Sequence, residues 1–353
     1  MKWLIYPYAP EFIPVVRYNE IIKNGEIALL SAPSGFALQD RDGFVWGTEK
    51  SGYQIQDTAD TSLYDGIWIT PEITYMQDSD IESAFNRLDI KGKTVYYSAL
   101  LSPTKEDVLF NILKNHKPLQ IIHRKQKDIN FEWVTGNVIN KIQTPIIAVA
   151  GIGSSSQKFD IQLYLRKYLL QMGYKVSQIG TKPYCEMLGF HSLPDWMFDN
   201  TYTDVEKIYA FNNYVKALEL NEKPEVIILG IPEGIMPFNE KHSQGYGIKA
   251  FEIFSAVHPD YLLVSLYNGK YNQDFFDEIR NLARYRFHAE IDKFYVSNYA
   301  PVSTSYKREQ LQFTFSMENA DNEENFSFLN FSDSKMANEI VDKLSVYDEY
   351  AVI

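Results

Sequence analysis

The chain has 353 residues, 45% hydrophobic and 23% charged, with a formal net charge of −12; the length predicts two domains and the composition a large buried core. A protein that grips nucleic-acid phosphates needs a basic stripe, and the short basic stretches Lys114–His116 and His123–Lys127 do not make one, so nucleic acid is excluded as a partner. The single cysteine, Cys185, excludes an internal disulfide and a cysteine-rich metal site. No apolar run reaches the length of a signal segment or a membrane span, so the cytoplasm is the expected compartment.

In the first half short apolar strands alternate with helices. Strands are expected at Trp3–Tyr6, Ile27–Ser31, Gly66–Thr70 and Thr94–Ala99, and helices at Val15–Lys23, Ile81–Leu88 and Lys105–Lys114, the last capped by Ser102 or Thr104. That alternation predicts crossover connections and a parallel, Rossmann-like sheet over residues 1–125. No G-x-G-x-x-G follows the first strand, so a dinucleotide site is not expected there. Residues 126–144 read as a polar connector, with Asp128, Asn130, Asn137 and Asn140.

A second α/β domain is expected over residues 145–353. It opens with the strand Ile146–Ala150 and the helix Lys158–Met172, whose apolar residues Ile161, Leu165, Leu169 and Met172 share one face and whose end is marked by Gly173. Strands follow at Tyr174–Ile179, Val226–Gly230, Tyr261–Leu266 and Phe294–Ser297. Helices are expected at Val205–Leu220 (N-cap Thr203), Gly247–Val257 and Gln273–Arg284. Near the C-terminus two alternating segments, Leu311–Ser316 and Phe326–Phe331, flank the acidic stretch Glu318–Asn325. They predict a β-hairpin followed by a helix at Lys335–Leu344.

The strand–turn–helix at Gly151–Asp160 carries the chemistry. Gly151 and Gly153 let backbone N–H groups converge, and a helix N-terminus adds unpaired donors and partial positive charge. Ser154, Ser155 and Ser156 could add hydroxyls and Lys158 a cation, which together make an anion cradle. The phosphate loop proper is G-x-x-x-x-G-K-[ST]. Here the interval from Gly151 to Lys158 is one residue longer, as in dethiobiotin-synthetase-like ATPases, to which the loop is similar. Two positions depart from the pattern. Gln157 stands where the glycine precedes the lysine, and Phe159 stands where a hydroxyl would hold magnesium. The strand Val226–Gly230 ends without an acid, although Glu233 follows and could contact magnesium or water. Nucleotide with magnesium is the cofactor these residues suggest, and binding is better supported than hydrolysis. Alternatively, the glycines only permit a tight turn and Lys158 lies on the surface. Thr181-Lys182-Pro183 would line the same edge.

Other constellations are sparser. Cys185, Glu186 and His191 fall close together, but the six histidines show no metal-ligand spacing, so no metal site is expected. No G-x-S-x-G elbow is present.

Several phrases carry a resemblance over nearly the whole chain: Tyr6-Pro7-Tyr8, Met172-Gly173-Tyr174, Gly180-Thr181-Lys182, Gly189-Phe190-His191-Ser192 and Ile231-Pro232-Glu233-Gly234-Ile235-Met236-Pro237. In these the chain resembles the clostridial peptide maturation system proteins. Those are accessory proteins encoded beside bacteriocin-like precursor peptides, a radical SAM enzyme and an acyl-carrier-related protein. The resemblance implies a setting in ribosomal peptide maturation and assigns no catalytic residue. Three functions follow as expectations: an accessory protein with a degenerate phosphate loop that binds a phosphate-bearing ligand; a non-enzymatic scaffold for the precursor peptide or a maturation enzyme; and an ATP-dependent ligase or kinase.

Overall fold

The computed structural model describes every residue except 46–48, 58–59, 99–102, 124–137, 317–325 and 351–353, with backbone alone at 103–105, 123 and 346–350. Both the Ser102 and Thr104 caps and the acidic stretch Glu318–Asn325 therefore fall, wholly or in their side chains, outside the described residues. The chain forms two compact units. One comprises residues 1–127 with Lys182–Ser192, the other residues 128–181 with 193–353.

The first unit is built on a parallel sheet of six strands: Lys2–Tyr6 (β1), Glu26–Ser31 (β2), Ile55–Gln56 (β3), Gly66–Ile69 (β4), Thr94–Tyr97 (β5) and Gln120–His123 (β6). Their order, β3-β2-β1-β4-β5-β6, is that of dinucleotide-binding sheets. The expected helix at Val15–Lys23 is instead a short helix, Ile13–Arg17 (α1), followed by a 3-10 turn at Asn19–Ile21. Asp78–Leu88 (α2) buries Ile81, Ala84, Phe85 and Leu88 at helical spacing, and Pro103–Asn115 (α3) follows β5. The excursion Lys182–Ser192 completes this unit's aromatic core: the buried Tyr184 ring lies 5.0 Å from Phe12 and 5.7 Å from Trp68. Boundaries drawn at 125 and 145 did not include that return of the chain.

The second unit carries Ile146–Gly151 (β7), Lys158–Gln171 (α4), Val176–Gly180 (β8), Asp204–Glu222 (α5), Val226–Gly230 (β10), Ile248–Ala256 (α6), Tyr261–Leu266 (β11), Gln273–Phe287 (α7), Lys293–Val296 (β12) and Phe326–Phe328 (β15). Here β9 denotes the two residues His191–Ser192 of the excursion. The strands lie in the order β15-β12-β11-β7-β10-β8, all parallel. β7, β10 and β11 are buried along their whole length, as a sheet covered by helices on both faces requires. Of the expected connector, residues 138–144 are fastened to α5. The Asn140 amide donates to Asn212 at 2.8 Å, and Glu219 accepts from the Gln143 and Thr144 amides.

The expected C-terminal hairpin does not form. Phe313–Phe315 (β14) pairs antiparallel with Tyr299–Pro301 (β13), whereas β15 joins the main sheet parallel to β12. Burial decides the partner. Phe326 packs on Phe276 with ring centroids 5.7 Å apart inside the unit's core, and a free two-stranded ribbon would leave that ring in water. Lys335–Tyr350 (α8) closes the chain.

Candidate functional site

β7 ends at Gly151, and the loop to α4 is compact because its glycines admit close neighbours. A Cβ on Gly151 would collide with the Ser156 hydroxyl and come within 2.9 Å of Lys158 Cδ; one on Gly153 would collide with the Tyr267 hydroxyl. Ser154 and Ser155 are exposed, while Gly153, Ser156, Gln157 and Lys158 are buried. Lys158 is thus no surface cation. At 8% exposure its ammonium donates to the Glu233 carbonyl.

The departures at 157 and 159 have separate causes. Gln157 has φ 59°, the left-handed region that favours glycine, so the backbone keeps the shape that a glycine would serve. Its side chain takes a structural task, accepting from the Asn298 amide at 2.7 Å. Phe159 is 5% exposed and faces the interior. The Gln157 side chain does not cap α4.

One local and several long-range hydrogen bonds set the rest. The Ser156 hydroxyl donates to the Gly153 carbonyl at 3.1 Å, the Ser265 hydroxyl donates to the Ser156 carbonyl, and the Tyr267 hydroxyl donates to the Ser154 carbonyl at 2.6 Å. The Ser154 amide, a natural anion donor, gives its hydrogen to Gln244 Oε1 at 2.8 Å. Gln244 begins a run of four left-handed residues through Gly247, with φ of 47°, 74°, 54° and 71°. Glu233, also left-handed, packs its carboxylate against Gly245. The turn after β10 is laced to the same place, the Gly234 amide donating to the Gln244 carbonyl and the Ile235 amide to the Gly151 carbonyl. Gln244, Tyr267, Ser265 and Asn298 were not singled out by the sequence, which offers no local signal for contacts about ninety or more residues away.

Gly151, Gly153, the three serines, Lys158 and Glu233 therefore come together. Thr181 stays in this unit, and Lys182 and Pro183 begin the excursion that belongs to the first. The residues do not fit magnesium: position 159 lacks a hydroxyl, and among the described residues no group of three or more His, Cys, Asp or Glu is placed to hold a metal. Asp160, an acid in the first turn of α4, is 5% exposed.

The switch point of the first sheet lies between β1 and β4, which send the chain in opposite directions. Glu72 sits just past β4, with Oε2 buried and without a hydrogen-bond partner. Burial pushes its carboxyl above the ordinary value, against the lowering effects of the Thr70 hydroxyl and the Lys182 ammonium. Within the same unit Cys185 is buried, its thiol donating to the Lys182 carbonyl, and Glu186 accepts from the Ser192 hydroxyl at 2.7 Å.

Together the two sheets define a two-unit parallel α/β protein whose second unit bears a phosphate-loop-like turn. The crystal structure of a DUF1611 family protein from Anabaena variabilis ATCC 29413 is similar to the chain, with a TM-score of 0.56 at 8% sequence identity, over 84% of this chain and 87% of that one. At that identity the likeness is one of fold. No protein-family model matches the chain, and no curated protein does. Among the described residues no helix is long and apolar enough to cross a membrane.

Proposed function

We propose that the second unit binds a phosphate-bearing ligand at Gly151–Lys158, and that the protein does so in the cytoplasm as an accessory of ribosomal peptide maturation. The setting rests on the sequence resemblance alone. The binding rests on one observation: the turn between β7 and α4 is left-handed at Ser155 and Gln157 and brings buried Lys158 to a helix start that the Gln157 side chain does not cap. A ligand oxygen would take the Ser154 amide from Gln244 and the ammonium from the Glu233 carbonyl. Differential scanning fluorimetry with ATP, GTP and coenzyme A tests this. A ligand at a hundred times its Kd stabilises by about 2.7 kcal/mol, and Lys158→Ala is expected to abolish the shift. No shift with any of the three, or one that survives the substitution, sinks the proposal.

A second reading is a scaffold that holds the precursor peptide or a maturation enzyme without nucleotide. The Gln244 carboxamide on the Ser154 amide favours it, because the donor already has a partner. Co-purification with the precursor from nucleotide-free buffer, unaffected by Lys158→Ala, is its expected signature.

A further inference from the structure

The carboxyl ends of β7 and β11 border a cavity of about 300 Å³. This is the switch point of the second sheet: α4 carries the chain from β7 toward β8, and α7 carries it from β11 toward β12, on the opposite side. In open parallel sheets ligands bind at that place. Five rings wall the cavity: Phe238, Tyr267, Tyr271, Phe275 and Tyr306. They brace one another. Phe238 stands edge-on to Tyr267 at 6.0 Å and to Tyr306 at 5.0 Å, and Tyr271 lies 4.6 Å from Phe275.

The polar ends of these rings are engaged elsewhere. Tyr267 donates to the Ser154 carbonyl at 2.6 Å, Tyr271 to the Tyr267 carbonyl at 2.7 Å and Tyr306 toward the Pro301 carbonyl at 3.5 Å. Burial pushes the Tyr267 and Tyr271 hydroxyls well above the ordinary phenol range, so both stay neutral. None of the lining residues carries a charge. Asn268 and Gly269 are the polar remainder, and the Asn268 backbone N–H donates to the Tyr299 carbonyl.

We propose that this cavity is a binding site for an uncharged bicyclic aromatic ring of indole type. Size, shape and chemistry agree. A cavity of roughly 150 Å³ accepts benzene, and twice that volume suits two fused rings. Braced aromatic walls offer edge-to-face contacts at 4.5–7 Å to a flat guest. A nucleobase fits less well, because reading its edge takes donors and acceptors that these hydroxyls have directed to the backbone. The site shares Ile152 and Tyr267 with the loop, yet its ligand needs no anion, so it stands independently of the phosphate reading.

The test is ¹⁹F NMR of 5-fluoroindole titrated with the full chain. Saturable line broadening is expected, displaced by unlabelled indole. Met236→Trp, which fills the cavity, is expected to abolish it, and Tyr306→Ala, at the partly exposed rim, to weaken it at least fivefold, with far-UV circular dichroism unchanged. Lys158→Ala is expected to leave indole binding intact. Three results overturn the proposal: no saturable binding to the wild-type chain, binding that neither Met236→Trp nor Tyr306→Ala alters, or displacement by adenosine at lower concentration than by indole.

Discussion

At the scale of single residues, the contact between Gly153 and Tyr267 decides how tightly the loop can close. A methyl at 153 meets the Tyr267 hydroxyl, so Gly153→Ala is expected to destabilise by about 1–3 kcal/mol in chemical denaturation. Tyr267→Phe, which loses the bond to the Ser154 carbonyl, costs about 1 kcal/mol. In the double variant the two effects should sum to less than their total, because the clash needs the oxygen; strict additivity would sink the steric account. Glu72 makes a pH prediction. Burial raises its folded-state carboxyl above the ordinary 4.5, so the unfolded chain releases the proton first as pH rises. The stability of wild type relative to Glu72→Gln should then fall as pH rises above about 4.5, levelling once the folded carboxyl has ionised. Urea titrations across that range read it directly, and a flat difference would refute it. Gly151, Gly153 and Lys158 were legible because spacing marks them. The burial of Lys158 and the anchoring of Gln157 by Asn298 were not, since both depend on chain segments far along the sequence.

Elements were legible where the signal is local. Thr203 forms a full capping box with Glu206 at the start of α5, and β10 and β11 fall where their apolar runs place them. Strand partners were not legible. Alternation marked Phe326–Phe328 as a strand, but only the packing of Phe326 on Phe276 explains why it runs beside β12. The strap from Gln244 to Gly247 was legible only as the turn Gly245-Tyr246-Gly247 at a helix entry; its run of left-handed residues and the bond from the Ser154 amide to Gln244 were not. Removing its carboxamide with Gln244→Ala frees the Ser154 amide, and a neutral hydrogen bond is worth about 1 kcal/mol. Affinity for inorganic pyrophosphate is therefore expected to rise roughly fivefold by calorimetry. An unchanged or weaker affinity would mean that the strap does not compete with the ligand.

For the whole molecule, strand–helix alternation disclosed both parallel sheets, while the excursion Lys182–Ser192 left no compositional mark. The net charge of −12 repels an anionic ligand from a distance, and salt screens that repulsion. The association rate of a fluorescent ATP analogue in stopped flow should accordingly rise between about 20 and about 200 mM salt; a falling rate would show that a local cationic field dominates. The excursion also bears on how the protein is made. Tyr184 closes the ring cluster around Phe12 and Trp68, so a nascent chain that has reached residue 127 still lacks part of its first core. At roughly 5–20 residues per second, the ribosome needs several seconds more to deliver it. For that interval the first unit waits unfinished, with Phe12 and Trp68 lacking the ring that closes their cluster.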